Sequence, residues 1–487
     1  MALEDIRDER VRKLGELRAE GIDPYPAGTA RDFSVAEALK KFAALEKEKK
    51  VVVIAGRVMA KREHGGSMFL DVRDGTGAMQ VYLKKDVLGD EYRRAVDVLD
   101  IGDIIEAEGM VFKTKKDEET VEVTRWAMLT KTLRPLPEKW HGLQDVEERF
   151  RKRYLDTLMN DEVRARFEMR SKIIAAVRDF HIKNKFLEVE TPVLQPIPGG
   201  TLARPFVTHH NALDTDLYLR IAPELYLKRV IVGGFDRVFE IARNFRNEGI
   251  DATHNPEFTM LECYAAYWDE RDMMGFVEDL FVALAKEFGS KKEIAFEGKK
   301  IVFKKPFARL AFKDLLARYA MITEYDREDR DSLATRARQL GIDVGSHESK
   351  GKIADEIYKK ICRPHLVQPT FVINHPLDIS PLSKKRKENP EEVRRFQLIV
   401  AGYEITNGFA ELNDPIDQRE RFEEQEKERE GGEEEAMHLD EDFLEALEYG
   451  MPPAAGLGIG IDRLVMLFTD MHNIREVLLF PTMRPKS

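Results

Sequence analysis

Between Val51 and Thr130 the apolar periodicity is that of strands, and no long helical crossover interrupts it. VVVIAGRVMAKR, SMFLDVRDGTG, AMQVYLKK, GDIIEAEGMVFKT and TVEVTRWAML are short β-rich runs broken by Gly and Asp. Five strands in about 80 residues, without the helices a parallel sheet requires, leave few ways to hide their edges. Closure into a small Greek-key barrel of the OB type is the expected solution. Residues 51–134 carry 14 Lys/Arg and 15 Asp/Glu, so this module is nearly neutral.

Residues 3–20 read as an amphipathic helix with Leu3, Ile6, Leu14 and Leu17 among charges, ended by Gly21. After the barrel, LRPLPEKWHG has two prolines and reads as a linker. Asp161 to Phe186 then forms a long helix, with Val163, Phe167, Ile174 and Val177 on one side, running into the strand LEVETPVL. In the remainder, few strands are followed by a regular crossover helix. The pattern is α+β with a largely antiparallel sheet flanked by helices. The resulting division is a helix and barrel over 1–135, a linker over 136–150 and a larger domain over 151–487. RERFEEQEKEREGGEEEA (419–436) is expected to be a solvated helix followed by a loop.

Composition excludes several classes. With 43% apolar and 34% charged residues, the 487-residue chain can bury sizeable cores. Its two cysteines, Cys263 and Cys362, cannot build a disulfide framework or a thiolate zinc site. A net charge of −11 argues against nucleic-acid binding by bulk charge, so any such contact must use a local face. The charged N-terminal stretch lacks a signal-peptide pattern, and no run of about 18 apolar residues occurs. A cytoplasmic protein without a membrane span is the expectation.

Several motifs dissolve on inspection. GLGIGIDR (456–463) is no dinucleotide fingerprint, because its glycines alternate within a strand and Asp462 opens the next helix. Glycines there imply close approach by a ligand or another backbone, with Arg463 at the ligand end. GSHESKGK (345–352) has the wrong spacing for a phosphate-binding loop. PLSKK (381–385) reads as a basic surface loop.

Residues 244–264, NFRNEGIDATHNPEFTMLECY, carry more. Arg246 and Glu248 alternate on a strand, a loop follows with His254, and Phe258, Met260, Glu262 and Tyr264 share one face of a second strand. Arg for phosphate, a flat aromatic for a base and a carboxylate for an amino group suit a nucleotide. In YEITNGFAEL (403–412), Glu404 and Glu411 lie in another β-rich run with Asn407 between them. Buried carboxylates there require a metal ion or a cationic partner.

With these segments in view, the chain resembles the class II aminoacyl-tRNA synthetases, and within them the subclass IIb lysine–tRNA ligases, over nearly its whole length. FLEVETPVL resembles motif 1, FRNEGI through HNPEFTMLE motif 2, and GLGIGIDRLVMLF motif 3. HGLQDVEERFRKRYLD, IPGGTLARPF, APELYLKR and NGFAELNDP are similar to stretches of the lysine branch. The resemblance implies an OB-fold anticodon-binding domain, an antiparallel catalytic sheet flanked by helices, and a homodimer formed through residues 161–192. It implies that ATP is bound by Arg246, Glu248, His254, Phe258 and Arg463, with Arg246 and Arg463 the catalytic cations. Lysine would be held by Gly200, Glu224, Arg246, Glu262, Tyr264, Asn407 and Glu411. Glu404 would hold Mg²⁺, and Phe69 and Gln80 would read the anticodon of lysine tRNA.

The implied chemistry joins two anions, a carboxylate and the α-phosphate of ATP, and so depends on charge neutralisation and positioning. Two positions depart from the family. Gln397 stands where a second metal-binding Glu is usual, and Arg125 where a Glu assists anticodon reading. Two other functions compete: lysylation of a protein acceptor, which the nearly complete barrel opposes, and a non-catalytic tRNA-binding role, which the intact Arg246, Glu248, Phe258 and Arg463 oppose.

Overall fold

The computed structural model describes residues 3–137, 145–345, 348–430 and 436–485. The chain divides into two compact units, Met1–Gln144 and Asp145–Ser487. Residues 138–144 of the linker stretch lie outside the described residues, and Val146–Arg151 is the first helix of the second unit.

In the first unit the five expected strands are Val51–His64, Ser67–Arg73, Ala78–Lys84, Ile104–Lys113 and Glu119–Thr130. They close into a barrel in the order one, two, three, five, four. The third and fifth strands pair in parallel, and the other neighbours are antiparallel. Alternation does the sorting: Met68, Leu70 and Val72 point inward and are fully buried, while Phe69 and Asp71 face out. The helix Leu3–Ala19 buries Leu14 and Leu17 of its expected apolar stripe, whereas Leu3 is exposed.

The second unit is built on an eight-stranded sheet, antiparallel except at two places. Ala308–Ala311 runs parallel to Thr370–Ile373, and Leu187–Glu188 parallel to Arg237–Phe245. The four central strands are Arg395–Val400, Tyr403–Ala410, Ala454–Gly460 and Glu257–Ala266. The helices Asp161–Lys183, Glu270–Phe288 and Ile461–Thr469 contribute to one large apolar core against this sheet. A second core packs the helix Glu224–Val232 around Tyr264, Phe422 and Phe443.

Two elements differ from the sequence expectation. LEVETPVL forms only the two-residue strands Leu187–Glu188 and Leu194–Gln195, as Pro192 cannot donate to a ladder. The acidic helix Pro415–Glu430 is not solvated all round. It buries Gln418, Arg421, Phe422 and Gln425, and Arg421 donates to the Ser383 carbonyl at 2.7 Å.

Asp462 ties this framework together. Its buried carboxylate accepts the Thr259 N–H at 2.8 Å and lies 2.7 Å from Arg170 of the long helix. Helix, sheet and the start of Ile461–Thr469 are thereby held in one geometry. Asp462→Ala should cost about 3 kcal/mol, because it leaves a buried N–H and a cation unpaired. A lowered guanidinium midpoint at unchanged slope would register that loss.

Candidate active site

The strand register lays out the floor of a cavity. Gln397, Asn407, Gly458 and Glu262 form one row across the four central strands, and Arg395, Phe409, Gly456 and Tyr264 the next. Glycine at the third place of each row keeps the floor low. A Cβ on Gly456 would lie 2.1 Å from Glu411 Oε1 and 2.4 Å from the Tyr264 ring. One on Gly458 would lie 2.5 Å from Met260 Cε. The alternating glycines therefore admit neighbouring side chains and line the cavity themselves. Above them is a cavity of about 1200 Å³, larger than one small ligand requires.

One end of the cavity is basic and aromatic. Arg246 and Glu248 lie in a loop, not on a strand face as their alternation suggested. The strand Arg237–Phe245 stops because the next residue opposite is Pro256, which accepts from the Arg246 N–H at 2.9 Å but has no N–H to return. The Arg246 guanidinium sits 5.0 Å over the Phe258 ring, and its buried Nε has no hydrogen-bond partner among the described residues. Burial lowers its pKa, opposed by Glu248 and Glu262. His254 bridges Asp251 Oδ2, at 2.8 Å from its Nδ1, to Arg463, whose Nη2 donates to its Nε2 at 3.1 Å. Arg463 Nη1 also donates to the Glu404 carbonyl at 3.2 Å. Glu248 is exposed and lines the cavity mouth.

The other end is acidic and closed. Glu224, Glu262 and Glu411 are all buried there, and Tyr264 donates to Glu262 Oε2 at 3.1 Å. Gly200, with φ of 93°, lies against Glu224, and a Cβ on it would come within 2.9 Å of the Glu224 Cβ. Burial pushes Glu262 up to about 8, with the charge of Glu224 adding to it. Burial likewise raises Glu411 to about 8, against the pull of Lys228. Asn407 accepts from Arg395 Nε at 2.9 Å, which fixes its amide over the floor between the two ends.

Sequence reasoning missed two of these groups. Lys228 is buried between Glu224 and Glu411, 2.6 Å from each. The four-residue spacing of Glu224 and Lys228 in APELYLKR was the available signal. Arg395 had none, since only the register brings it beside Asn407.

Near the basic end, Gln397 Nε2 donates to Glu404 Oε2 at 3.0 Å, and the Tyr358 hydroxyl donates to Gln397 Oε1 at 3.3 Å. No group of three or more His, Cys, Asp or Glu side chains with metal-site geometry occurs among the described residues. One carboxylate beside an amide suits a hard cation that brings other oxygens with it.

On the barrel, Phe69 faces outward and stacks on Tyr82 at 4.6 Å, and Tyr82 approaches Phe112 at 6.0 Å. Gln80 is buried on the same face, its amide donating to Glu118 at 2.9 Å and accepting from Thr120 at 3.0 Å. Arg125 is paired with Glu108 at 2.7 Å and Glu106 at 3.3 Å.

A polar cavity on an antiparallel sheet, with a basic end and an acidic end, and a separate β-barrel with an aromatic outer face narrow the class. The family model for tRNA synthetases class II (D, K and N) matches residues 145–484, and that for the OB-fold nucleic acid binding domain matches residues 52–129. The chain belongs to the class II tRNA synthetases. Three curated relatives are named lysine–tRNA ligase, and that of Pelotomaculum thermopropionicum is 49% identical over 486 residues, covering 99% of this chain and 96% of the relative. That of a Roseiflexus species is 50% identical over 488 residues, covering all of both chains. An Enterobacter relative is 48% identical over 494 residues, covering 99% of this chain and 98% of its own.

The raised carboxyl groups carry a sign for stability. A buried carboxyl that stays protonated up to about pH 8, against about 4.5 unfolded, favours folding fully at low pH. That advantage is lost as pH rises through the folded value. The substrate-free protein should therefore lose thermal stability between about pH 5 and 8, and Glu262→Gln should flatten the decline. An equally steep decline in that variant, followed by calorimetry, would mean that Glu262 does not contribute to it.

Proposed function

We propose that this chain activates L-lysine with ATP, forming lysyl-adenylate and pyrophosphate, and transfers lysine to the 3′ end of lysine tRNA. The observation that carries the reading is the polarity of one cavity: three buried carboxylates at its closed end, and Arg246 over Phe258 at the other. Full-length relatives named lysine–tRNA ligase support the same choice of substrates.

In this reading the adenine stacks on Phe258, and Glu248 accepts a hydrogen bond from its amino group. Arg246 binds the α-phosphate and the lysine carboxylate together, and His254 and Arg463 take the terminal phosphates. Two anions must meet, and fixed cations neutralise charge that would otherwise hold them apart. A carboxylate oxygen of lysine attacks the α-phosphorus, and the bond to pyrophosphate breaks. The terminal ribose hydroxyl of tRNA then attacks the lysyl carbonyl, and AMP departs. No protein nucleophile takes part, so positioning and electrostatics do the catalysis. Glu404, with Gln397 beside it and phosphate oxygens completing the set, would hold Mg²⁺, which supplies further neutralisation at the phosphates.

At the acidic end, Glu224 and the Gly200 segment receive the α-ammonium, while Glu262, Tyr264 and Glu411 receive the ε-ammonium. An acidic pocket rejects uncharged side chains because its desolvated carboxylates would be left without a cation. Asn407, oriented by Arg395, lies beside the substrate carboxylate. The barrel reads the anticodon through the outer face of Phe69, with Gln80 exchanging its internal partners for a base. Arg125, spent on Glu106 and Glu108, holds the strand surface together there. The active form is a homodimer built through residues 161–192, and the protein works in the cytoplasm. Among the described residues no helix is long and apolar enough to cross a membrane.

Lysine-dependent ATP–pyrophosphate exchange, followed by transfer to total tRNA, tests the whole reading. Exchange driven equally by another amino acid would overturn it. Glu411→Gln should raise the lysine requirement by roughly two to three decades, the scale of breaking a buried charge pair, and leave the ATP requirement within a few-fold. Phe69→Ala should reduce tRNA charging about 10- to 100-fold, the worth of one stacked base, with exchange intact. Steady-state kinetics of the two half-reactions separates these effects.

A further inference from the structure

Lys228 has no part in the scheme above, yet it is 1% exposed inside the acidic end. Its ammonium lies 2.6 Å from Glu224 Oε1 and 2.6 Å from Glu411 Oε2, with the Phe409 and Phe443 rings 5.3 and 5.9 Å away. A lysine this deep keeps its charge only because carboxylates meet it. Burial opposes the ammonium, but Glu224 and Glu411 outweigh burial and raise its pKa. Glu262, the third buried carboxylate, has the Tyr264 hydroxyl as its hydrogen-bond donor.

The charge count is informative. Three carboxylates and one ammonium leave two negative charges. On the reading that lysine occupies this end, a reading on which this inference rests, the substrate brings two ammonium groups and turns its carboxylate to Arg246. The numbers match only because Lys228 is present. Before substrate arrives, two unbalanced charges in a buried site are costly, and a proton from water relieves them.

We propose that Lys228 is a positioning residue that trims the pocket's charge to the two ammonium groups of the substrate, and that the empty pocket carries a proton, shared by Glu262 and Glu411, which passes to solvent when lysine binds. Other titratable groups face this cluster. Arg246 and Arg395 stand on the cavity side, and Tyr264 shares the strand of Glu262. Glu240 on the neighbouring strand is engaged by Arg220 at 2.6 Å, and the Cys263 thiol is buried in the core behind. Arg395 is occupied by Asn407, the Ile379 carbonyl and Ser380. Glu224 and Glu411 are thus left to share the charge of Lys228, and Glu262 and Glu411 the proton.

Calorimetric titration of the full-length protein with L-lysine, in buffers of different ionisation enthalpy between pH 6.5 and 8, counts the protons directly. About one proton should be released per lysine at pH 6.5, falling to about half at pH 8, with affinity tightening close to tenfold per pH unit at the lower end. Lysine that binds with no net proton release overturns the proposal. Lysine that fails to bind overturns the reading of the site itself, so the two failures are distinct. Lys228→Met should bind lysine at least tenfold more weakly at pH 7.5 and release more protons per lysine than the wild type at the same pH. A proton count equal to wild type in that variant would reduce Lys228 to a packing residue. The wild-type count decides the proton whether or not the variant folds.

Discussion

Burial of like charges is the constraint on which the rest of the second unit depends. Glu224, Glu262 and Glu411 approach one another in a site shielded from water, a state that a folded chain sustains only with partners built to receive it. Lys228 meets two of the three at 2.6 Å. Glycine at 456 leaves room for Glu411 and Tyr264, and the Tyr264 hydroxyl turns toward Glu262. The aliphatic and aromatic packing of Leu225, Phe422 and Phe443 around the helix Glu224–Val232 fixes these groups in place. A pocket so confined and so acidic is relieved by positive charge, whether a bound proton or a cationic group.

The antiparallel sheet makes such a site feasible. Its register gathers residues from segments as far apart as 200, 246, 262, 397, 411 and 456 into two adjoining rows and their rim. Each strand turns alternate side chains to the same face, so a polar floor coexists with an apolar underside of Leu398, Leu457 and Leu261. Where the ladder must open for Arg246 to reach the cavity, a proline without an N–H ends it. Asp462 then locks the helix that carries Arg463 to the strand that carries Phe258. Basic and acidic ends are thus held on one rigid element, which suits a reaction run by positioning.

The barrel solves a different problem with the same alternation. Its core is packed with apolar inner residues such as Val52, Ile54, Leu70 and Val81, so the outer face is free to vary. Phe69, Tyr82 and Phe112 make a row of rings there, flanked by the internally bonded Gln80. Arg125 is paired with Glu106 and Glu108, so its charge is matched within the barrel's own surface.

Much of this was legible in the sequence. Period-two patterning marked the five barrel strands, and the glycine alternation of GLGIGIDR placed a strand before a helix, because such patterns depend only on near neighbours along the chain. Local motifs likewise marked Arg246, Glu248, His254, Phe258, Glu404, Glu411 and Arg463 as candidates. Other features were decided by the tertiary structure. The loop position of Arg246 depends on Pro256, ten residues away and across a ladder. The buried face of Pro415–Glu430 depends on the Ser383 carbonyl, which takes Arg421 out of water. Lys228 looks like any charged residue on a helix until Glu411, 183 positions later, closes over it. Charge in a sequence is a property of single residues, whereas its energy depends on burial and on partners that only the fold brings together.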